Sequence, residues 1–529
     1  MNLPTDASAP WPPKAQATEY AKMSEWSAWY SGDPDRLLEV YGGASSGGRS
    51  RWFKFWSRIG KEPEAQKAQL HVPVAGDLAA VSGALLFGEA PSIRVKEAHA
   101  SGRVPRKAKD AEERMRTIME RSGLYNRLVE GAESAAAMGG AYLFPAWDKE
   151  LADHPIPAIA QADQAIPEFK HGMLRSVLLW RVVEETDQGI YRHLELHRPA
   201  PVGSGGKATV QHALYKGTKT AIGTRLAEDV LLALTGFEPL VELPFPNLDV
   251  EYIPNMRPNR LWRQSGLGLS DFSGSEGLFD ALDEVYASWM RDIRLGKARI
   301  IVPRDFIDEG GHVDIDHEVY QPMDMEPGAA EAGARSMLAQ QFEIRYLEHR
   351  ETAIELVERI VSNSGYSPQT FGIRIEGRAE SGSALRIREN KTILTLKRKS
   401  QWWGPSIQRL MANLMAVDAE VFRGPGLGDL TVEVGLGAGV PEDPVELAST
   451  VAQLSAAQAA STEVKVRIIH PHWSREEVDA EVKRIHEEQQ AAKPEPPAPG
   501  GMTTETDSQT GETSVRSERA IAQDEGEGS

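Results

Sequence analysis

The sequence predicts an α+β chain, with short strands in its first half and long amphipathic helices in its second. Three observations carry that prediction. Apolar residues recur at spacings of three and four from Leu278 to Ile293, and again from Ile344 to Val361. Between residues 166 and 234 the pattern changes to short β-like runs broken by Gly/Asp turns. The chain has 529 residues, 41% hydrophobic and 26% charged, which is ordinary globular usage and enough to bury a sizeable core.

Taken in order, residues 1–17 begin with a proline-rich stretch expected to be disordered. Thr18 to Tyr41 reads as helix, with Tyr20, Met23, Trp26, Trp29 and Tyr30 at helical spacing. A Gly/Ser loop follows, then the aromatic and basic run Arg51 to Ile59. That run suits either base stacking or simple burial of Trp52, Phe53 and Trp56. Leu78, Val81, Leu85 and Leu86 mark a helix that Pro91 stops, and Ser92 to Val95 reads as a strand. Ala108–Ser122 and Leu124–Met138 are helices, the second ending at Gly139-Gly140. Ala141–Trp147, Leu174–Glu184, Ile190–His197 and Gln211–Tyr215 read as strands, with turns at Asp187-Gln188-Gly189 and Tyr215-Lys216-Gly217.

Phe245 to Arg260 is proline-rich and extended. A long helix follows, with Ser273 and Glu276 spaced as a capping box at its start. Ala298–Val302 and His312–Tyr320 look like strands about the Asp308–Gly311 turn, and a second long helix is expected over 334–363. Ser364 to Ser383 is a Gly/Ser-rich loop, and loops this long inside a compact domain are usually functional. A third long helix, from Ala384 to Phe422, carries Arg386, Arg388, Lys391, Lys397, Arg398 and Lys399, with Pro405 expected to kink it. Leu430–Val434 is a strand, and Val445–Gln458 and Arg475–Gln490 are helices. Residues 491–529 hold eight acids and three bases among Pro, Gly, Ser and Thr, the composition of a disordered acidic tail.

Composition excludes whole classes of function. There is no cysteine, so disulfides, thiolate metal sites and cysteine nucleophiles are absent. The net charge of −18 argues against a protein that coats DNA, which needs a large basic surface. No apolar run is long enough to span a bilayer, and no basic-then-apolar leader opens the chain, so the expected compartment is the cytoplasm. No nucleotide-binding loop, H-E-x-x-H or G-x-S-x-G pattern occurs.

Three constellations remain. Asp305, Asp308, Glu309, Asp314, Asp316, His317 and Glu318 are rich in carboxylates but match no calcium loop, so solvated turns compete with a metal-dependent active site. His470-Pro-His472 offers only two ligands. The Arg386–Lys399 run faces either a polyanion or solvent. No cofactor, metal or catalytic residue is assigned.

Several phrases, in order and with suitable gaps, resemble the portal proteins of tailed bacteriophages, in the branch typified by the portal of the Bacillus phage SPP-one. They are residues 72–95 (VPVAGDLAAVSGALLFGEAPSIRV), 134–148 (SAAAMGGAYLFPAWD), 266–303 (GLGLSDFSGSEGLFDALDEVYASWMRDIRLGKARIIVP) and 371–393 (FGIRIEGRAESGSALRIRENKTI). The resemblance implies a portal fold. Its parts are an α/β wing (18–265), a first stem helix (266–295), a small β-containing clip (296–333) and a second stem helix (334–363). A tunnel loop (364–383), a long wing helix (384–425) and the wing end with a helical crown (426–490) follow.

The resemblance further implies a non-enzymatic subunit of a homo-oligomeric ring, usually a dodecamer, at a capsid vertex of the virion, assembled in the bacterial cytoplasm. Double-stranded DNA would pass through it without sequence preference. The terminase large subunit and later a head–tail adaptor would dock on it, and capsid and scaffolding proteins would surround it, with no membrane involved. Carried over, Ser367, Gln369, Thr370, Arg374 and Arg378 would face DNA. Leu282, Val285, Trp289, Ile293, Ile344, Leu347 and Ile354 would pack between subunits, and Arg304, Asp305, Asp308, Glu309 and Asp314 would form the docking surface. On the residues alone, a carboxylate-site enzyme and a monomeric interaction scaffold stay open.

Overall fold

In the computed structural model the described residues are 1–42, 70–97, 106–296, 299–303, 320–323, 338–340, 344–373, 382–437, 444–470, 473 and 475–491. Two compact units divide the chain, 1–441 and 442–529.

The first residues are packed rather than disordered. Leu3 and Trp11 are buried against Ile166, Leu178, Leu194 and Leu196, and Trp11 meets Trp180 edge-on at 5.4 Å. The Met1 ammonium donates to Glu168 Oε2 at 2.6 Å, and Tyr215 donates its hydroxyl to the Pro4 carbonyl at 2.8 Å. A proline-rich segment gives up little backbone entropy when fixed, and one buried indole outweighs that cost.

Helix α1 (Ala17–Ser31) buries Met23, Trp26 and Trp29 and ends at Gly32, whose φ of 63° suits glycine. Helices α2 (Pro34–Gly42) and α3 (Val74–Leu86), strand β1 (Ser92–Glu97), and helices α4 (Arg106–Ser122) and α5 (Leu124–Met138) follow. The segment Arg51–Ile59 lies outside the described residues. Helix α5 ends as its sequence predicts: Gly139 has φ 88° and donates its N–H to Ala135 O.

Strands β2 (Gly140–Ala146), β3 (Ile156–Gln161), β4 (Ala165–Lys170), β5 (Met173–Thr186), β6 (Gly189–Arg198), β7 (Thr209–Gly217) and β8 (Thr224–Arg225) come next. They precede α6 (Glu228–Thr235), β9 (Leu240–Glu242) and β10 (Glu251–Pro254). An antiparallel six-stranded sheet runs β4-β5-β6-β7-β8, with β9 also on β7, and a three-stranded sheet runs β10-β2-β3. Lys216 and Gly217, expected in a turn, still belong to the β6–β7 ladder. A Cβ on Gly217 would lie 2.2 Å from the Ile222 carbonyl oxygen, so the glycine serves the chain's close return and not a reversal.

Helix α7 spans Glu276–Leu295, and β11 (Arg299–Pro303), β12 (Tyr320–Met323) and β13 (Leu338–Gln340) form a sheet with β11 central. Strand β11 is parallel to β12 and antiparallel to β13. Most of the expected strand His312–Tyr320 lies outside the described residues. Helix α8 (Tyr346–Asn363) starts later than the expected 334 because Leu338–Gln340 pairs with β11. A short apolar run carries too little periodicity to choose between helix and strand, and the sheet partner decides.

Helix α9 (Gly382–Val421) is continuous for 40 residues with Pro405 inside it, and β14 (Leu430–Gly435) returns to pair with β1. Its second half is the spine of the main core. Leu396, Trp403, Ile407, Leu410, Met411, Leu414 and Met415 are buried at three- and four-residue steps, against residues of α1, α3, α4 and α5. Asp418 closes that end, its buried carboxylate gripped by Arg114 through Nη2 at 2.7 Å and Nε at 3.0 Å.

The second unit contains α10 (Pro444–Ala456), α11 (Thr462–Ile469) and α12 (Arg475–Ala491). Helix α11, which the sequence does not announce, is capped by Ser461, whose hydroxyl accepts from Val464 N. No helix among the described residues is long and apolar enough to cross a membrane.

Candidate functional site

Helices α7 and α8 form an antiparallel pair that brackets the small sheet. At one end Asp292 of α7 accepts from Arg345 Nη2 at 2.9 Å and lies 3.0 Å from His349 Nε2. At the other, Asn363 Nδ2 reaches Ser275 Oγ at 3.5 Å. His349 and Arg345 hold the Asp292 carboxyl below its ordinary pKa. Trp289 stacks on the His349 ring, with centroids 6.1 Å apart and planes 11° from parallel.

The start of α7 differs from the expected capping box. Ser275 occupies the cap position and no side chain caps the helix. Glu276 instead turns inward, accepting from Trp26 Nε1 at 2.9 Å and from Gly274 N at 2.8 Å, with Lys22 beside it. Tertiary partners of a buried carboxylate displace the local motif.

The predicted packing residues divide into three groups. Leu282 is fully buried inside its own chain, so it is not a contact between subunits. Val285, Trp289, Ile344 and Ile354 are half-buried. Ile293 and Leu347 are exposed, at 41% and 50%, alongside Leu295 and Tyr346 at 37% and 55%. The buried residues of α8 are Ala353, Ile360 and Val361.

Below the pair lies a buried polar cluster that the sequence reading missed. Lys399, in mid α9, donates to Asp271 Oδ2 at 2.7 Å, Ser82 Oγ at 2.8 Å and Tyr366 OH at 2.8 Å. Three donors meet three acceptors, so the ammonium is saturated. Asp271 also accepts from Asn255 Nδ2 at 2.7 Å on Oδ1. Burial pushes the Lys399 pKa down while Asp271 opposes that shift, and burial pushes the Tyr366 pKa up. The cluster joins α3, the approach to α7, the segment after α8, and α9. A buried ion pair of this kind fixes register, since removing one partner strands the other.

The approach to α7 passes very close to α5. A Cβ on Gly268 would lie 2.2 Å from the Gly139 carbonyl oxygen, so the sequence Gly-Leu-Gly-Leu serves backbone contact rather than ligand binding. Ser270 then donates to the Ala137 carbonyl at 2.6 Å, bonding this segment to the end of α5.

Residues 364–373, part of the expected tunnel loop, lie along the middle of α9, at Thr392, Thr395 and Lys399. Ser364 donates to the Asp271 carbonyl at 2.7 Å, and Tyr366 is fully buried. Ser367 is 3% exposed and donates its backbone N–H to Thr392 Oγ1 at 2.9 Å, so this chain does not present it to a channel. Gln369 and Thr370 sit half-buried on a 3-10 turn, and Thr370 Oγ1 is 3.0 Å from Thr392 Oγ1. Arg374 and Arg378 lie outside the described residues, as do Arg304, Asp305, Asp308, Glu309, Asp314, Asp316, His317 and Glu318. Of the basic run, Lys391 donates to the Ser362 carbonyl at 2.5 Å and Arg398 to the Arg257 carbonyl at 2.7 Å, so both close backbone ends.

No curated protein matches the chain. Among solved structures, it is similar to a chain from the neck of an empty gene transfer agent particle, at 14% identity and a TM-score of 0.37, covering 81% of this chain and 94% of that one. A chain from the virion of a native gene transfer agent particle gives 14% identity and 0.35 over the same shares. The neck of a native particle gives 13% and 0.32, again over 81% and 94%. Residues 254–495 match the family model described as phage portal protein, SPP1 Gp6-like. That span, which takes in the helix pair, its small sheet and the long helix behind them, is where this chain is similar to the SPP1 Gp6-like phage portal proteins.

Proposed function

We propose that the chain is the subunit of a closed ring at one capsid vertex, the channel through which double-stranded DNA is packaged and later ejected. The observation that carries this reading is the element order inside residues 254–495: helix, small sheet, helix, loop, 40-residue helix. In it, α7 and α8 are the stem and the β11–β13 sheet is the clip. The tunnel loop of this reading is 364–383, with Arg374 and Arg378 as its DNA-facing arginines.

The exposed Ile293, Leu295, Tyr346 and Leu347 then pack against the neighbouring subunit. Such head-to-tail interfaces form a ring only if their rotation closes, and twelve copies is the count expected. A channel that passes DNA must not grip it. A chain of net charge −18 with few tunnel arginines suits sliding, whereas many phosphate contacts would hold the duplex. The clip docks the terminase large subunit, which supplies the ATPase, and then the head–tail adaptor. Capsid and scaffolding proteins surround the ring in the virion.

The test is negative-stain electron microscopy with sedimentation on the same sample. Rings with a central hole are expected. A chain of 58.1 kDa that stays monomeric at every concentration, alone and with its capsid and scaffolding proteins, overturns the reading in favour of an interaction scaffold.

A further inference from the structure

We propose that the six-stranded sheet carries a divalent-metal site of the zinc class, formed by His193, Glu195 and His212. Alternation along β6 puts His193, Glu195 and His197 on one face. The β6–β7 register sets His212 directly opposite Glu195. Each of His193, Glu195 and His212 offers a ligand atom within 4.8 Å of the other two. His193 Nε2 and His212 Nδ1 are 3.1 Å apart, close to the about 3.3 Å edge of a tetrahedron with Zn–N bonds of about 2.0–2.1 Å.

The group is buried, with His193 at 0%, His212 at 5% and the Glu195 side chain at 16% exposure. His193 Nδ1 lies 3.2 Å from Glu195 Oε1 yet makes no hydrogen bond. His197 Nε2 and Asp249 Oδ1 are also without hydrogen-bond partners. His193 and His212 share one hydrogen bond, and the polar atoms left unpaired beside it call for an explanation that a bound cation supplies.

The surroundings match what metal ligands require. His197 Nδ1 is 2.8 Å from Asp249 Oδ2, and its Nε2 is 3.8 Å from Glu195 Oε2. Asp249 thus orients the His197 ring, which stands behind Glu195 as the supporting groups of metal sites do. Phe237 roofs the site, its ring nearly parallel to those of His193 and His212 at 5.1 and 4.9 Å. Arg181, paired with His193 across β5 and β6, sits 5.4 Å from the Phe237 ring centre. Two imidazoles and one carboxylate favour zinc over calcium or magnesium, which prefer all-oxygen shells, and leave one tetrahedral position for water. The metal would cross-link β6 to β7 beneath the α6–β9 connection. The sequence signal is His193-Leu-Glu195-Leu-His197, a ligand pattern at strand periodicity, and this site lies outside the proposed channel machinery.

The experiment titrates the full, tag-free chain, stripped of metal, with ZnCl2 in a calorimeter and with Co2+ followed by visible absorption. A single zinc per chain is expected. His212→Gln should weaken binding by more than about 100-fold and His197→Gln by about 10- to 100-fold. The double variant His470→Gln, His472→Gln should bind as the native chain does. No stoichiometric zinc, undiminished binding by folded His212→Gln, or loss on removing His470 and His472 each overturns the site. X-ray absorption on the zinc-loaded native chain needs no variant: two imidazoles with oxygen support the site, and an oxygen-only shell refutes it.

Discussion

The second half of α9 and the α7–α8 pair are both long amphipathic helices in one chain, yet they are finished differently. Trp403, Ile407, Leu410, Met411 and Leu414 reach almost zero exposure against elements of the same chain. The pair keeps Ile293, Leu295, Tyr346 and Leu347 at 37–55% exposure. The α9 seam is covered by its own chain, with Trp402 on the outer face at 41% exposure, whereas the pair leaves four neighbouring large apolar side chains open at one end. The same periodicity therefore encodes an interior in one place and, in the proposed ring, a subunit contact in the other.

Five experiments break or sharpen that comparison. Trp403→Ala should cost about 3–5 kcal/mol, since it empties a fully buried indole site beside Phe87. Lys399→Met should cost a similar about 3–5 kcal/mol, because Asp271 is left buried and unpaired. Both are read by denaturant unfolding of the subunit, and a loss under about 1 kcal/mol would deny that the α9 seam is covered by its own chain.

Leu347→Asp should change subunit stability by less than about 0.5 kcal/mol while abolishing rings in sedimentation and microscopy. Intact rings would remove α8 from the subunit contact. Deleting residues 374–380 should leave both subunit stability and ring formation unchanged but lower DNA packaging or retention. Normal DNA-filled particles would end the tunnel-loop assignment.

Acidification should have the smallest effect, and on the pair it acts through Asp292. The Asp292 carboxyl is held low by His349 and Arg345, so its contribution is present above the ordinary carboxylate pKa. That contribution is lost as pH falls through the lowered value. Asp292→Asn should remove this acid dependence from hydrogen exchange in α7 and α8, and an unchanged profile would place the dependence elsewhere. Because the site is open to solvent, salt should blunt the effect.

Regular elements were legible because periodicity is local. Leu124–Met138 has the same limits in sequence and structure, and its Gly139 terminator behaves as glycine stops do. The three long helices and strands β5–β7 stood out for the same reason. What escaped the reading depends on partners distant in sequence. Trp11 is ordered by a sheet some 170 residues later, and Glu276 leaves its capping geometry for Trp26, 250 residues away. Lys399 reads as one more cation on a charged helix until Asp271, 128 residues earlier, is placed against it. Ser367 reads as loop because nothing local says that Thr392 will receive its N–H. The His193–His212 contact combines two strands, and no window along one of them contains both residues.

Helix α9 has the proportions of a lever. At about 1.5 Å per residue it is about 60 Å long, and Lys399 pins it near the middle, about 26 Å from Gly382 and about 29 Å from Asp418. A tilt of about 5° about that fulcrum moves each end by about 2 Å, in opposite directions. Rigid tilting of the helix would therefore be felt at the Arg114–Asp418 clamp at its far end. Pro405, which lacks the N–H that would bond back one turn, lies on the far arm. Trp403 and Ile407, on either side of that proline, are buried in the close-packed core, so the far arm is held by packing where one backbone hydrogen bond is lost.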